Sequence, residues 1–370
     1  MPTIVEAKKQ LDLIMKKARV HWYKPIQIAE ILYHHRMNPS FDLRQLENYR
    51  ARSKWWRDEV SPRLVGRACT SSAKFQDNLF EQNALPPEYI AELGKANEES
   101  GFEGVVEAYI YSSLEVRMSL LARLAYYLSK VNPESFDLQK FVGLFQLSPG
   151  LRRSIDKAYE IIVYALFDTL VRHLEATVTL CVAKSKREVL REFEDFTSRV
   201  LGLTVEQPEL TKAAHLYRVG VTDAADRGLD MWANFGPAVQ VKHVSLSEDI
   251  AADIVDEISE NAMVVIVCET AEQQVVENVL TQAGFSHRIQ GIVTFADLTR
   301  WYSKCFESRF AETLGVTLLE KLRNEFRQEF PSTGVALVDF QKERGYDKIK
   351  FAGLWQLPSE TTLLDTWENG

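Results

Sequence analysis

The segment Gly228-Leu229-Asp230-Met231-Trp232-Ala233-Asn234-Phe235-Gly236-Pro237-Ala238-Val239-Gln240-Val241-Lys242-His243 reads as a β-hairpin. One strand leaves Asp230, a turn spans Asn234 to Pro237, and a return strand runs from Ala238 to His243. Asn, Gly and Pro in the turn supply the backbone angles and the missing donor that end a ladder. Strand side chains alternate, so Val239 and Val241 point one way and Gln240 and Lys242 the other. The expectation is a strand that buries valines on one face and presents an amide oxygen and an ammonium on the other. Asp230, at the start of the facing strand, can reach the same patch.

Working outward, the chain after the hairpin alternates helix and strand. Ser245-Leu246-Ser247-Glu248 has the form of a capping box opening a helix with Ile250, Ile254 and Ile258 at four-residue spacing. Met263 to Cys268 is apolar throughout, as a parallel strand buried on both faces should be. Thr270-Ala271-Glu272-Gln273 reads as a second capping box, with its helix stopping at Gly284. Gly291 to Phe295 is a short strand, and Ala296 onward turns helical. Before the hairpin, Leu216 to Val221 reads as a strand and Lys184 to Arg199 as a charged helix. A long amphipathic helix spans Arg152 to Thr179 on the stripe Ile155, Tyr159, Ile162, Leu166, Leu170 and Leu174. Glu160 sits beside that stripe, at the border of core and polar face. Strands separated by helices predict an α/β fold with a mixed central sheet and flanking helices.

The pattern from Pro2 to Pro149 is mainly helical, and Ser148-Pro149-Gly150 is the seam. Arg309 to Glu329 reads as helix, and Gly334 to Phe340 as an added edge strand. The expected organisation is a helical region over 1–148, an α/β core over 149–305 and a helical extension over 306–370.

Hydrophobic content of 46% and charged content of 26% are those of a globular protein, and the net charge of −8 argues against sequence-blind coating of nucleic acid. Against that acidity, Arg44 to Gln76 is locally basic, with Arg52, Lys54, Arg57, Arg63, Arg67 and Lys74 beside Ser71, Ser72 and Gln76. Such residues suit phosphate and base contacts. The competing reading is a solvated helix face with Trp55 and Trp56 tucked into a core. The four cysteines lie far apart with no zinc-ligand spacing, which points to a reducing compartment. No apolar run approaches membrane-spanning length and no secretory signal is read, so the expectation is a cytoplasmic protein. Neither a GxGxxG nor a GxxxxGK[ST] motif is present, so no nucleotide cofactor is expected.

A carboxylate, a second oxygen ligand and a lysine on one small surface suit metal-assisted attack on a phosphodiester. Hard Mg²⁺ takes carboxylate and carbonyl oxygens; Asp230 is the candidate main ligand, Gln240 a weaker neutral one, and Glu160 the source of further negative charge. Lys242 is placed to orient or deprotonate the attacking water, or to stabilise the phosphorane. The rival roles are a turn carboxylate for Asp230, a surface carboxylate for Glu160, and the wet face of an edge strand for Gln240 and Lys242.

Asp230…Gln240-Val241-Lys242 resembles the PD-(D/E)XK nuclease motif in the variant with glutamine for the second acid. The order of long helix, hairpin, capped helix and apolar strand resembles that fold's αβββαβ core. Three stretches, His21 to Tyr33, Lys54 to Leu79 and Gln240 to Ile258, resemble the HaeII family of type II restriction endonucleases. The resemblance implies Mg²⁺-dependent cleavage of both strands of duplex DNA at a short palindrome of the RGCGCY kind, by a homodimer. It also implies that the basic stretch contacts DNA. A nuclease of the Mrr or repair kind, or a DNA-binding protein with a decayed site, is the alternative.

Overall fold

A computed structural model describes residues 2–357 except 19–21, 39, 70–75, 83, 100, 148–150, 152–153, 220–228, 258–262, 282–287 and 331–333. The expected seam at 148–150, Ile258, Gly284, the end of the Leu216 strand and Gly228 lie outside the described residues. The described residues fall into two compact units, one within Met1–Tyr159 and Arg323–Gly370, the other within Glu160–Val219 and Asp226–Leu322.

The first unit is helical. Its elements are α1 (Ile4–Lys17), α2 (Tyr23–Met37), α3 (Arg50–Val65), α4 (Pro87–Asn97), α5 (Val105–Lys130) and α6 (Leu138–Leu147). α2 is buried along eight consecutive residues from Pro25 to Leu32. A helix covered on all sides in this way serves as a core rather than a surface element. Two of those residues are polar, and each has found partners. Gln27 donates to Ser53 Oγ at 2.9 Å, and Glu30 receives Arg344 at 2.9 and 3.0 Å and the Tyr111 hydroxyl at 2.5 Å.

The second unit holds a five-stranded mixed sheet in the order β3–β4–β5–β6–β7. The strands are β3 (Leu216–Arg218), β4 (Met231–Ala233), β5 (Ala238–Leu246), β6 (Val264–Ala271) and β7 (Ile289–Thr294). β3, β4 and β5 pair antiparallel, and β5, β6 and β7 pair parallel. Three helices follow the strands: α10 (Glu248–Glu257), α11 (Gln273–Thr281) and α12 (Phe295–Cys305). Ala251, Ile254 and Val255 of α10 pack on Ala238, Val264, Ile266 and Cys268. The expected mixed α/β architecture is therefore present.

Several local expectations are corrected. The long helix α7 (Ile155–His173) stops well before Thr179, because Glu175 adopts a left-handed conformation (φ 49°) and β-branched Thr177, Val178 and Thr179 extend into strand β1 (Thr177–Cys181). The charged helix is broken at Phe193 into α8 (Arg187–Glu192) and α9 (Glu194–Val200), followed by β2 (Glu209–Ala213). α10 is capped by Ser247, whose hydroxyl receives the Ile250 N–H at 3.3 Å. Ser245 and Thr270 cap nothing: both stay in their strands and bond each other at 2.7 Å. Arg309 to Glu329, by contrast, is helical as expected, with a π-helical turn (Ala311–Gly315) leading into α13 (Val316–Glu329). Gly334 to Phe340 belongs to helix α14 (Gly334–Glu343), in which buried Leu337, Phe340 and Gln341 follow helical spacing.

Candidate active site

The hairpin register pairs Met231 with Val239 and Trp232 with Ala238. Continuing it by one residue sets Asp230 across from Gln240. Asp230 Oδ2 accepts the Val241 backbone N–H at 2.7 Å. This bond fixes a carboxylate against the middle of the Gln240-Val241-Lys242 run.

Alternation along β5 puts Gln240 and Lys242 on the face they share with Ala238, towards α10. Val239 and Val241 point to the opposite face. The expected open polar face is not found. Gln240 is 3% exposed and Lys242 half-buried, because β5 is the middle strand of five with helices on both sides. The edge-strand alternative for these two residues falls with it. Gln240 Oε1 is buried and receives no hydrogen bond from the described residues. An orphaned buried acceptor carries a desolvation cost of about 1–3 kcal/mol, and in native proteins it marks a site for water, an ion or chemistry.

Glu160 is buried at 7% exposure rather than lying at the polar border. It precedes Phe167 by seven residues, about two turns, and so shares its helix face. Phe167, Leu170 and Val171 line an apolar groove with Val239, Val265 and Trp301, of about 360 Å³. Glu160 therefore approaches from a separate helix that covers the valine face, whereas Asp230, Gln240 and Lys242 come together on one hairpin. His243 lies on the valine side, its Nε2 4.0 Å from Glu269 Oε1.

Asp230 and Gln240 offer a carboxylate and an amide oxygen lacking a partner, donors of the kind a hard divalent cation takes, whereas the expected third donor, Glu160, lies towards the other face of the sheet. Among the described residues no three His, Cys, Asp or Glu side chains cluster as ligands, so a trio here has to include the amide.

One feature escaped the sequence reading. Tyr217 and Trp232 are register partners and stack at 4.3 Å with an 18° interplanar angle, both well exposed. Trp232 follows Asp230 by two residues and so shares its face. That offset was the available signal.

In the first unit, α3 carries the basic stretch. Arg52 is exposed, and so is Trp55, at 77%. Trp56 instead stacks on His34 at 4.2 Å, so only one of the two tryptophans follows the core reading. Lys54 pairs with Asp77 at 2.7 Å, and Arg63 with Glu343 at 2.6 Å. Burial works against the Asp77 carboxylate, yet Lys54 and Arg50 hold it below the usual range. Arg67 is half-buried near Tyr23, whose hydroxyl donates to the Arg67 and Ala68 carbonyls. Arg57 is corrected: at 1% exposure it braces the fold, donating to Asp58 at 2.8 Å, Gln27 at 3.2 Å and Gln76 at 3.0 Å. A guanidinium so enclosed has no surface to offer a phosphate. Gln76 is thereby engaged as well. Ser71, Ser72 and Lys74 lie outside the described residues.

No described helix is long and apolar enough to cross a membrane.

Comparison with known proteins points one way. The HaeII restriction endonuclease family model matches residues 7–346. The type II restriction enzyme NgoBI of Neisseria gonorrhoeae is 49% identical over 344 residues, covering 92% of this chain and 97% of that protein. The type II restriction enzyme HaeII of Haemophilus aegyptius is 47% identical over 351 residues, covering 94% and 98%. No solved structure matches.

Proposed function

The chain belongs to the HaeII restriction endonuclease family and is a type II site-specific deoxyribonuclease; from that premise we propose that it cuts both strands of duplex DNA at a short palindrome, of the RGCGCY kind, by Mg²⁺-dependent hydrolysis at a PD-(D/E)XK-type site. The observation that carries the reading is the bond from the Val241 N–H to Asp230, which pins the acid beside Gln240 and Lys242. With the inserted segment β1, α8, α9 and β2 set aside, the order α7, β3, β4, β5, α10, β6 supports an αβββαβ core.

Asp230 and Gln240, which share one face of the hairpin, would hold the ion. When bound, it neutralises charge on the phosphoryl oxygens and lowers the pKa of a coordinated water. Lys242 directs an ammonium from the same strand face to orient the attacking water or stabilise the phosphorane. Asp230 fixes the geometry of that face through its backbone bond. The stacked Tyr217 and Trp232 provide a flat surface beside it for a sugar or base. Exposed Arg52 and Trp55, with Lys54, Arg63, Arg67, Ser71, Ser72, Lys74 and Gln76, form the DNA-contacting stretch, and Arg57 holds it in shape. A two-fold palindrome calls for a homodimer with one site per strand.

Plasmid DNA digested with Mg²⁺ should give discrete fragments whose ends, read by run-off sequencing, fall at one palindrome. Smears or dependence on methylation would favour an Mrr-like or repair nuclease. Asp230→Ala and Lys242→Ala should each abolish cleavage while leaving DNA affinity within a few fold. Cleavage by Asp230→Ala at the wild-type rate would overturn the site.

A further inference from the structure

The segment between α7 and β3 buries too little to be self-sufficient. In its ribbon, β1 pairs with β2 from Thr177↔Ala213 to Cys181↔Glu209, and four of the five residues in each strand are exposed. A two-stranded ribbon without a covered face is at best marginally stable in water. Helices α8 and α9 bury one residue each, Leu190 and Thr197.

Apart from buried Leu190 and Leu203, several large apolar residues of this arm face outward. Val189, Phe193, Phe196 and Val200 recur at spacings of four, three and four, the seam period of paired helices. Phe193 is 55% exposed, Phe196 54% and Val200 64%. Val189, Phe193 and Phe196 line one shallow apolar cavity. Exposed apolar patches on this pattern mark interaction surfaces.

The charges select the occupant. The first half of the arm carries Lys184, Lys186, Arg187 and Arg191, and the second half Glu192, Glu194 and Asp195, with Glu188 and Arg199 the exceptions. The signs nearly cancel, so neither DNA nor an acidic membrane matches the surface. A second copy turned through a two-fold axis does, because it lays the basic half of one arm against the acidic half of the other. Self-complementarity of this kind is what an isologous interface requires.

We propose that this arm is the dimerisation surface, with the α8–α9 seams of two copies packing antiparallel about an axis between Phe193 and Phe196. Val189 of one copy then meets the partner subunit's Val200. The arm joins α7, which carries Glu160, to β3, the first strand of the hairpin sheet, so the pairing would also set the spacing of two active sites. This rests on the dimeric endonuclease reading above.

Sedimentation equilibrium on the full chain, with a plasmid assay in parallel, tests it. Wild type should be a dimer, and Phe193→Ser/Phe196→Ser should weaken dimerisation by about 100-fold or more. The variant should keep its circular dichroism spectrum and lose double-strand cleavage. In a Cys181→Ser background, Val189→Cys/Val200→Cys should form a disulfide-linked dimer on oxidation. A disulfide closed within one chain would leave the mass of a monomer on a non-reducing gel and is thereby told apart from the cross-linked dimer. A wild type that is monomeric with and without DNA, a serine variant as dimeric as wild type, or a cysteine pair that never cross-links would overturn the proposal. A wild type that never cuts DNA would instead overturn the functional reading, and the mass measurement would remain interpretable.

Discussion

Gln240 and Arg57 show how burial separates residues that composition treats alike. Gln240→Leu replaces an unpartnered amide with an apolar group of similar size, so stability should rise by about 1 kcal/mol while cleavage is lost. Thermal melts and the plasmid assay check both halves. Arg57→Ala removes the buried guanidinium that Asp58, Gln27 and Gln76 share and should cost about 2–4 kcal/mol. Arg52→Ala should leave the melting temperature unchanged and weaken DNA binding, read by fluorescence anisotropy. The thiols sort the same way. Burial pushes Cys268 and Cys305 up to about 11, whereas Cys181 is exposed. Maleimide should therefore label Cys181 in the native protein and reach Cys268 and Cys305 only after unfolding.

At the scale of elements, two helix starts and one strand pair carry the predictions. Thr294 caps α12 in a reciprocal box with Asp297, the Asp297 N–H reaching the Thr294 hydroxyl at 3.3 Å and the Thr294 N–H reaching Asp297 at 3.0 Å. Burial opposes the Asp297 charge, but the Thr294 backbone and hydroxyl, with Arg300, hold its carboxyl below the usual range. A carboxyl depressed in the folded state stabilises above the unfolded pKa of about 3.9, and that contribution is lost as pH falls through the folded value. The stability difference between wild type and Asp297→Asn should therefore shrink as urea melts are repeated from pH 6 down to pH 3. Ser247→Ala, which removes the cap of α10, should cost about 1 kcal/mol. Ser245→Ala breaks only an exposed cross-strand pair and should cost less. The Ser-x-x-Glu pattern announced a helix in the right place but could not say which serine caps it. The parallel pairing of β5 with β6 extends both strands through Ser245 and Thr270, and that pairing is not local.

At the scale of the molecule, the end of the chain completes the first helical unit. Arg344 of the α14 segment donates to Glu30 of α2 across 314 positions, and Tyr346 donates to Glu107 of α5. Arg344→Ala strands a buried carboxylate and should destabilise this unit by about 3–5 kcal/mol in urea unfolding. Arg63→Ala removes an exposed pair with Glu343 and should change little. Nothing local links α14 to α2, which is why Gly334 to Phe340 could be misread as an edge strand. The sequence by itself determined the hairpin, the alternation of Gln240 with the valines, the apolar parallel strand and the mixed sheet, because hydrophobic period and turn chemistry are properties of neighbouring residues. Only tertiary structure decided that Gln240 is enclosed, that Arg57 is a brace while Trp55 is bare, and that Val189, Phe193, Phe196 and Val200 face outward. Exposure depends on what distant segments cover, and no window of adjacent residues carries that information.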